Sequence, residues 1–360
     1  MIQQIKYYNK LGEFQKSSLQ SHQILHIDLS HNNIGDKCLS DLGSALAKCT
    51  NLSNLELDLR ENQIGAKGVS VLGSALSNCI NLQNLTLYLS YNKISDKGLL
   101  GLSSALANCT NLSNLKLYFS SNQIGDQGVS GLGPALANCT NLSNLELDLY
   151  DNKISDKGLL GLSSALANCT NLSNLKLYFS DNNKISDKGL LGLSSALANC
   201  TNLSNLELDL GRFGNQGLSC LCSALANCTL LSNLTLNLGS IEFGSNGASI
   251  LGSAFPNCTN LSNLTLNLSD NQICDRSVSS LGSYLANCTH LLNLKLDLRN
   301  NEISSIGASN LASALANCTN LLILTVHLRE NNIKESKQQK VSAKYLKSKR
   351  LVVADIDFYY

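Results

Sequence analysis

Ten cysteines stand in one column: Cys49, Cys79, Cys109, Cys139, Cys169, Cys200, Cys228, Cys258, Cys288 and Cys318. Successive members are separated by 30, 30, 30, 30, 31, 28, 30, 30 and 30 residues. A spacing held over ten copies means that one structural unit is stacked against itself, because a unit this short cannot enclose a core alone. A chain of 360 residues has room for two or three compact domains. The repeat replaces that partition with one array, residues 21–333, between an N-terminal cap at 1–20 and a basic C-terminal cap at 334–360.

The unit that starts at Leu52 shows what each position is for. Leu55, Leu57 and Leu59 alternate with Glu56, Asp58 and Arg60. Period two predicts a strand with one buried and one wet face. Asn62 and Ile64 close a turn, and Val69, Leu72, Ala75 and Leu76 follow at helical spacing. In other copies Ser95-Asp96 or Ser155-Asp156 supplies polar residues where a helix start leaves backbone N–H groups free. The fold class that follows is α/β, a solenoid of parallel strands and helices.

The pattern L-x-x-L-x-L-x-L-x-x-N-x-I-x-D-x-G-x-x-x-L-x-x-A-L, carried over roughly residues 19 to 333, resembles the ribonuclease-inhibitor-like type of leucine-rich repeat. That resemblance implies a horseshoe with parallel strands inside and helices outside. It also implies that the Asn column (Asn32, Asn62, Asn92, Asn122, Asn152, Asn271, Asn301 and Asn331) sits inward and bonds backbone groups of neighbouring turns. One departure is visible: an extra x-Leu pair precedes the Asn, as in Leu55-Glu56-Leu57-Asp58-Leu59, which predicts a strand about two residues longer than usual. The fold by itself hosts many unrelated tasks.

Both ends depart from the repeat. Residues 1–20 read as a helical cap, and the copy at Ile24–Leu29 has Ile24 where others have Asn. At the other end Val341, Tyr345 and Leu346 lie at helical spacing, and residues 351–357 read as a last strand. Between Gly211 and Gly247 the Asn/Ile turn is lost, and Phe213 and Phe243 are the candidates to fill the core there.

The net charge is +1, which excludes a global field for nucleic acid. From Lys334 to Arg350 seven Lys/Arg and one Glu give a local +6, leaving −5 for the remainder. That basic run reads as a solvated cap face. The start, MIQQIKYYNKLGEF, has no secretory apolar core, and no apolar run is long enough for a membrane span. These features lead us to expect a cytoplasmic protein with reduced, buried cysteines rather than a disulfide framework. Eight Asn-Cys-Thr triplets, the first at Asn108 and the last at Asn317, then read as incidental copies. His22, His26, His31, His290 and His327 lack metal-ligand spacing. No metal, cofactor or small-molecule substrate is expected. No nucleophile–base set or phosphate loop appears, so no catalysis is expected.

The exposed face of the strands carries the candidate site. One column runs His26, Glu56, Thr86, Lys116, Glu146, Lys176, Glu207, Thr235, Thr265, Lys295, Thr325. The next runs Asp28, Asp58, Tyr88, Tyr118, Asp148, Tyr178, Asp209, Asn237, Asn267, Asp297, His327. Tyrosines that offer apolar area with a polar tip mark protein contacts. Tyr88, Tyr118, Glu146, Asp148, Tyr150 and Tyr178 therefore form the expected protein-binding patch. The partner is expected to be another protein, with no nucleic acid or membrane involved. Two alternatives remain at this point. One is a GTPase-activating regulator that supplies an Arg (Arg60, Arg212, Arg299 or Arg329) to a phosphoryl-transfer site. The other is a structural subunit of a cytoskeletal or ciliary assembly.

Overall fold

The computed structural model describes residues 5–182, 184–241, 246–348 and 350–358. The chain divides into two units, Met1–Lys184 and Ile185–Tyr360. Both are runs of the same solenoid repeat.

The first unit contains strands β1 (Ile5–Tyr8), β2 (Ile24–Asp28), β3 (Asn54–Asp58), β4 (Asn84–Tyr88), β5 (Asn114–Tyr118), β6 (Asn144–Asp148) and β7 (Asn174–Tyr178). Its helices are α1 (Leu11–Gln15), α2 (Asp36–Leu46), α3 (Ala66–Leu76), α4 (Asp96–Leu106), α5 (Asp126–Ser130), α6 (Gly133–Asn138) and α7 (Asp156–Leu166). The second unit contains helices α8 (Asp187–Leu197), α9 (Asn215–Leu225), α10 (Gly247–Gly252), α11 (Asp275–Leu285), α12 (Ser305–Leu315) and α13 (Glu335–Tyr345). Its strands are β8 (Asn205–Asp209), β9 (Asn233–Asn237), β10 (Asn263–Asn267), β11 (Asn293–Asp297), β12 (Ile323–His327) and β13 (Val353–Asp357). Within each unit consecutive strands pair in parallel, without register slips: Leu55 faces Leu85, Leu85 faces Leu115, and Leu264 faces Leu294.

The repeat strands run five residues and stop before the extra Leu, as β3 does at Asp58, but backbone bonding continues past that point. Leu59 is fully buried, and its N–H donates to the Tyr88 carbonyl at 2.8 Å. The residue two further on turns left-handed in each regular copy of the first unit, with φ of 53° at Glu61, 57° at Tyr91 and 53° at Ser121. Such conformations are strained for side chains larger than hydrogen. A bond to the next turn holds each one, as where the Glu61 N–H meets the Ser90 carbonyl at 3.1 Å. In the irregular repeat after β8 the left-handed residue is Gly211, with φ 76°.

The Asn column does what the resemblance implied. Asn122 donates to the carbonyls of Leu89 and Phe119, both at 3.0 Å, and accepts from the Ile94 N–H at 2.9 Å. Asn182, displaced in the sequence by a one-residue insertion, makes the same bonds to Leu149 and Phe179. Asn32 departs from the column: it is exposed and its side-chain amide donates to the Ser30 carbonyl, at 2.6 Å, rather than to a neighbouring turn. The helix-start acids also act across turns. Asp126 accepts from the N–H groups of Ser155 and Gly158 at 2.8 and 3.0 Å, capping the helix after its own.

The two prolines lie inside helical stretches. A proline lacks the N–H of an interior turn and displaces the preceding residue from helical geometry. The stretch containing Pro134 accordingly divides into α5 and α6, and the one containing Pro256 ends as a 3-10 turn at Phe255–Asn257.

The helical reading of residues 1–20 needs correction. Ile5–Tyr8 is a strand paired with β2, followed by the five-residue α1 and a 3-10 turn at Leu19–Ser21. Phe14 closes the core there, fully buried, with Tyr8 5.4 Å away ring to ring. At the other end Val341 and Tyr345 are buried as expected, whereas Leu346 is exposed. Phe213 does fill the core of the irregular repeat; Phe243 lies outside the described residues.

Candidate functional site

All six expected contact residues fall in the first unit, on the wet side of β4–β7 and the turns that follow. The strands present them because Leu residues on the opposite side of the pleat are buried at every alternate position. The register places Tyr88 beside Tyr118, Tyr118 beside Asp148, and Asp148 beside Tyr178.

Side-chain geometry joins some of these residues and leaves others apart. Tyr88 and Tyr118 stack, with ring centroids 4.7 Å apart and planes 12° from parallel. The Arg60 guanidinium lies over the other side of Tyr88, 5.0 Å from its centroid. Arg60 is itself held by two-toothed bonds to Asp58, the shorter at 2.6 Å. At the far end the Tyr118 hydroxyl donates to Glu146 at 2.8 Å, and the other Glu146 oxygen lies 3.7 Å from the Lys116 ammonium. Arg60, Tyr88, Tyr118, Glu146 and Lys116 thus form one connected row across four strands. Tyr150 is exposed and bonds Asp181 through its hydroxyl. Tyr178 is half-buried and separated from the stacked pair by Asp148.

Electrostatics follow from packing. Burial pushes the Tyr118 hydroxyl up, and the carboxylate of Glu146 that accepts its hydrogen bond adds to the effect. Burial raises Asp148 as well, against the Tyr150 N–H and Ser120 bonds that favour its charged form. Burial likewise raises Tyr88. Beside this row lies a depression of about 300 Å³ lined by Asn114, Lys116, Asn144, Glu146, Asn174 and Lys176.

Two parts of this surface escaped sequence reasoning. Arg60 joins the tyrosines because it follows Asp58 by two residues on the same face and leans across to β4, a diagonal relationship that column reading does not display. The Asn at each strand start is the second. Asn84 donates to Asn54 at 2.7 Å, and Asn114, Asn144 and Asn174 continue the ladder, each to the one before. Its signal was present as the Asn-Leu pair that opens each of these strands.

Of the four arginines considered for phosphoryl-transfer chemistry, three are engaged by carboxylates: Arg60 by Asp58, Arg299 by Asp297 at 2.6 Å, and Arg329 by Asp357. Arg212 lines a depression with Phe213 and Ile241. Among the described residues no group of three or more His, Cys, Asp or Glu is placed to hold a metal ion. No helix among them is long and apolar enough to cross a membrane.

Comparison with known proteins agrees with this architecture. Residues 20–43, 51–73, 81–103, 111–133 and 141–163 match the family described as Leucine Rich repeat. Residues 233–339 match the BspA type Leucine rich repeat region (6 copies). The chain is a leucine-rich-repeat protein. Among solved structures it is similar to an internalin, InlF, from Listeria monocytogenes strain 4b F2365, at 24% identity and a TM-score of 0.52. That match covers 96% of this chain and 92% of the internalin. Internalin C2 from the same strain matches at 22% identity and a TM-score of 0.42, over 71% of this chain and 83% of the other. The first likeness shows the fold. No curated protein matches the chain.

Proposed function

We propose that this protein is a binding scaffold without a catalytic step, and that its contact surface is the strand face of the first unit. Tyr88, Tyr118 and Glu146 form the centre of that surface, with Asp148, Tyr150 and Tyr178 around it. The observation that carries the reading is the stacked pair held between Arg60 and Glu146: two large rings already ordered, so a partner meets them at little further entropic cost. Binding energy concentrates on such aromatic anchors. The pairing of Arg60, Arg299 and Arg329 with carboxylates speaks against the arginine-supplying alternative, since a free guanidinium is what that chemistry needs. Nothing in the geometry favours the structural-subunit alternative over a scaffold.

The ribonuclease-inhibitor-like subtype belongs to this reading and is supported by the full eleven-residue helices of the regular repeats. A cytoplasmic setting is supported by the buried column of protonated thiols, which a reducing compartment preserves. The test compares partners captured from the source cell by the native protein and by a Tyr88→Ala, Tyr118→Ala variant. The reading expects proteins that bind the first and are lost from the second. Identical capture by both would place the contact surface elsewhere.

A further inference from the structure

The last helix carries lysines at two positions where most other helices of the second unit carry small residues. Lys337 occupies a column filled elsewhere in the second unit by Gly217, Gly247, Ser277 and Gly307. Where a capping Asp precedes it the column leaves no room for a side chain: a Cβ added to Gly307 would lie 2.3 Å from an Asp275 oxygen and 2.8 Å from its Cα. At the last turn both partners change together. Ser305 replaces the capping Asp, and Lys337 replaces the Gly. Seven residues further on, Lys344 stands where Ala224, Ala254 and Ala314 stand in other helices and Tyr284 in α11. Ala224 and Ala254 are 3% exposed, but Ala314, facing α13, is only half-buried.

The result is a groove between α12 and α13. It consists of two depressions, of about 720 and 280 Å³, which share Lys344. One wall carries Lys337, Lys340, Lys344, Lys347 and Arg350. The other offers Ser309, Ser313, Asn317 and Thr319, together with Ile306, which is 67% exposed. Lys344 donates to the Ser309 and Ser313 hydroxyls, and Arg350 to Asn320 at 2.7 Å. Among the described residues none of these five cations has a carboxylate at ion-pair distance. On the strand face, by contrast, Lys116, Arg60, Arg299 and Arg329 are each paired with one.

We infer that this groove is a second docking site, and that it takes an acidic peptide segment which supplies the missing carboxylates and an apolar side chain to cover Ile306. A cleft with two walls fits an extended chain better than a flat bilayer, and a net charge of +1 provides no global field to hold a duplex. The site is independent of the tyrosine surface.

The probe is a short fluorescein-labelled peptide of alternating Glu and Leu, read by anisotropy at low salt. Its Gln–Leu counterpart, duplex DNA and phosphatidylserine-containing vesicles are the comparisons. Two double variants remove equal charge. Lys337→Gly with Lys344→Ala restores the array's own residues and lets α13 close on α12; Lys340→Gln with Lys347→Gln leaves the groove open. The first pair is expected to weaken peptide binding by more than about tenfold, and the second by only about threefold. Equal loss in the two pairs, equal affinity for the Gln–Leu peptide, or tighter binding to DNA or vesicles would each overturn the inference.

Discussion

Tyr88 and Tyr118 lie face to face 4.7 Å apart, and only one of them, Tyr118, ties its hydroxyl to a carboxylate. The pair is therefore asymmetric: Tyr118 is pinned from both ends, while Tyr88 is held by the stack and by Arg60. Removing either ring is expected to loosen the other. A double-mutant cycle of Tyr88→Ala and Tyr118→Ala, followed by urea unfolding, should give a coupling of about 0.5–1.5 kcal/mol. Partner binding should fall by at least about 2 kcal/mol in the double variant. Strictly additive stability losses would mean that the stack does not persist in solution.

The Asn column separates two roles for one residue type. Asn122 is buried and serves four backbone groups, whereas Asn32 is exposed and serves one. Asn122→Ala should cost about 2–4 kcal/mol, because each buried group left without a partner is penalised. Asn32→Ala should cost less than about 0.5 kcal/mol, as surface changes do. Equal costs in a urea series would show that burial of the inner Asn is not what matters.

The same contrast shows where sequence reading succeeds. Leu, Asn and Cys columns are legible because each repeats under the same steric demand, so strands, register and the Tyr88–Tyr118 adjacency follow from counting. Asn182 was hidden because one inserted residue moves it off the count. The strand at Ile5–Tyr8 was hidden because its side chains are nearly all exposed, leaving no buried alternation to detect. The α12–α13 groove is written in two lysines, Lys337 and Lys344, and the meaning of Lys337 depends on how little room Gly307 has in the helix before it.

The thiol column makes stability depend on pH at the alkaline end. Burial raises Cys49, Cys109, Cys169, Cys228 and Cys318 to about 11, and Cys79, Cys139, Cys258 and Cys288 to about 12. An exposed thiol titrates near about 8.5. The unfolded chain therefore releases these protons first as pH rises, and the folded state holds more of them. The stability this contributes is fully present below about pH 8 and is lost progressively as pH climbs toward the folded values. Urea midpoints should be flat from neutrality to about pH 8 and fall steeply above it. A flat profile beyond pH 10 would contradict protonated, buried thiols.

Reactivity should follow the same division. Cys274 is only half-buried, and backbone bonds around Ser277 hold its thiol below the ordinary value. It should react first with an aromatic disulfide reagent on the native protein, ahead of the buried column, because the thiolate is the reactive species. Peptide mapping after brief labelling reads this directly. Early modification of Cys79 or Cys258 would mean that the column opens far more readily than its burial implies.

Tyr345 supplies the last test, at the C-terminal cap. It stands where Leu285 and Leu315 stand in the preceding helices, it is fully buried, and its hydroxyl has no hydrogen-bond partner. The ring is accommodated with no exposure at all, so a Leu in its place would leave part of that volume open. The hydroxyl, however, gains nothing from that location. Tyr345→Phe keeps the ring and removes the unsatisfied group, and should stabilise the protein by about 1 kcal/mol. Tyr345→Leu restores the residue used by the rest of the array but leaves a gap, and should destabilise by about 1–3 kcal/mol. Urea unfolding of both variants separates the two effects. Loss of stability in the Phe variant would mean that the hydroxyl has a bound partner in solution, and a neutral Leu variant would mean that α13 can close onto α12 without help.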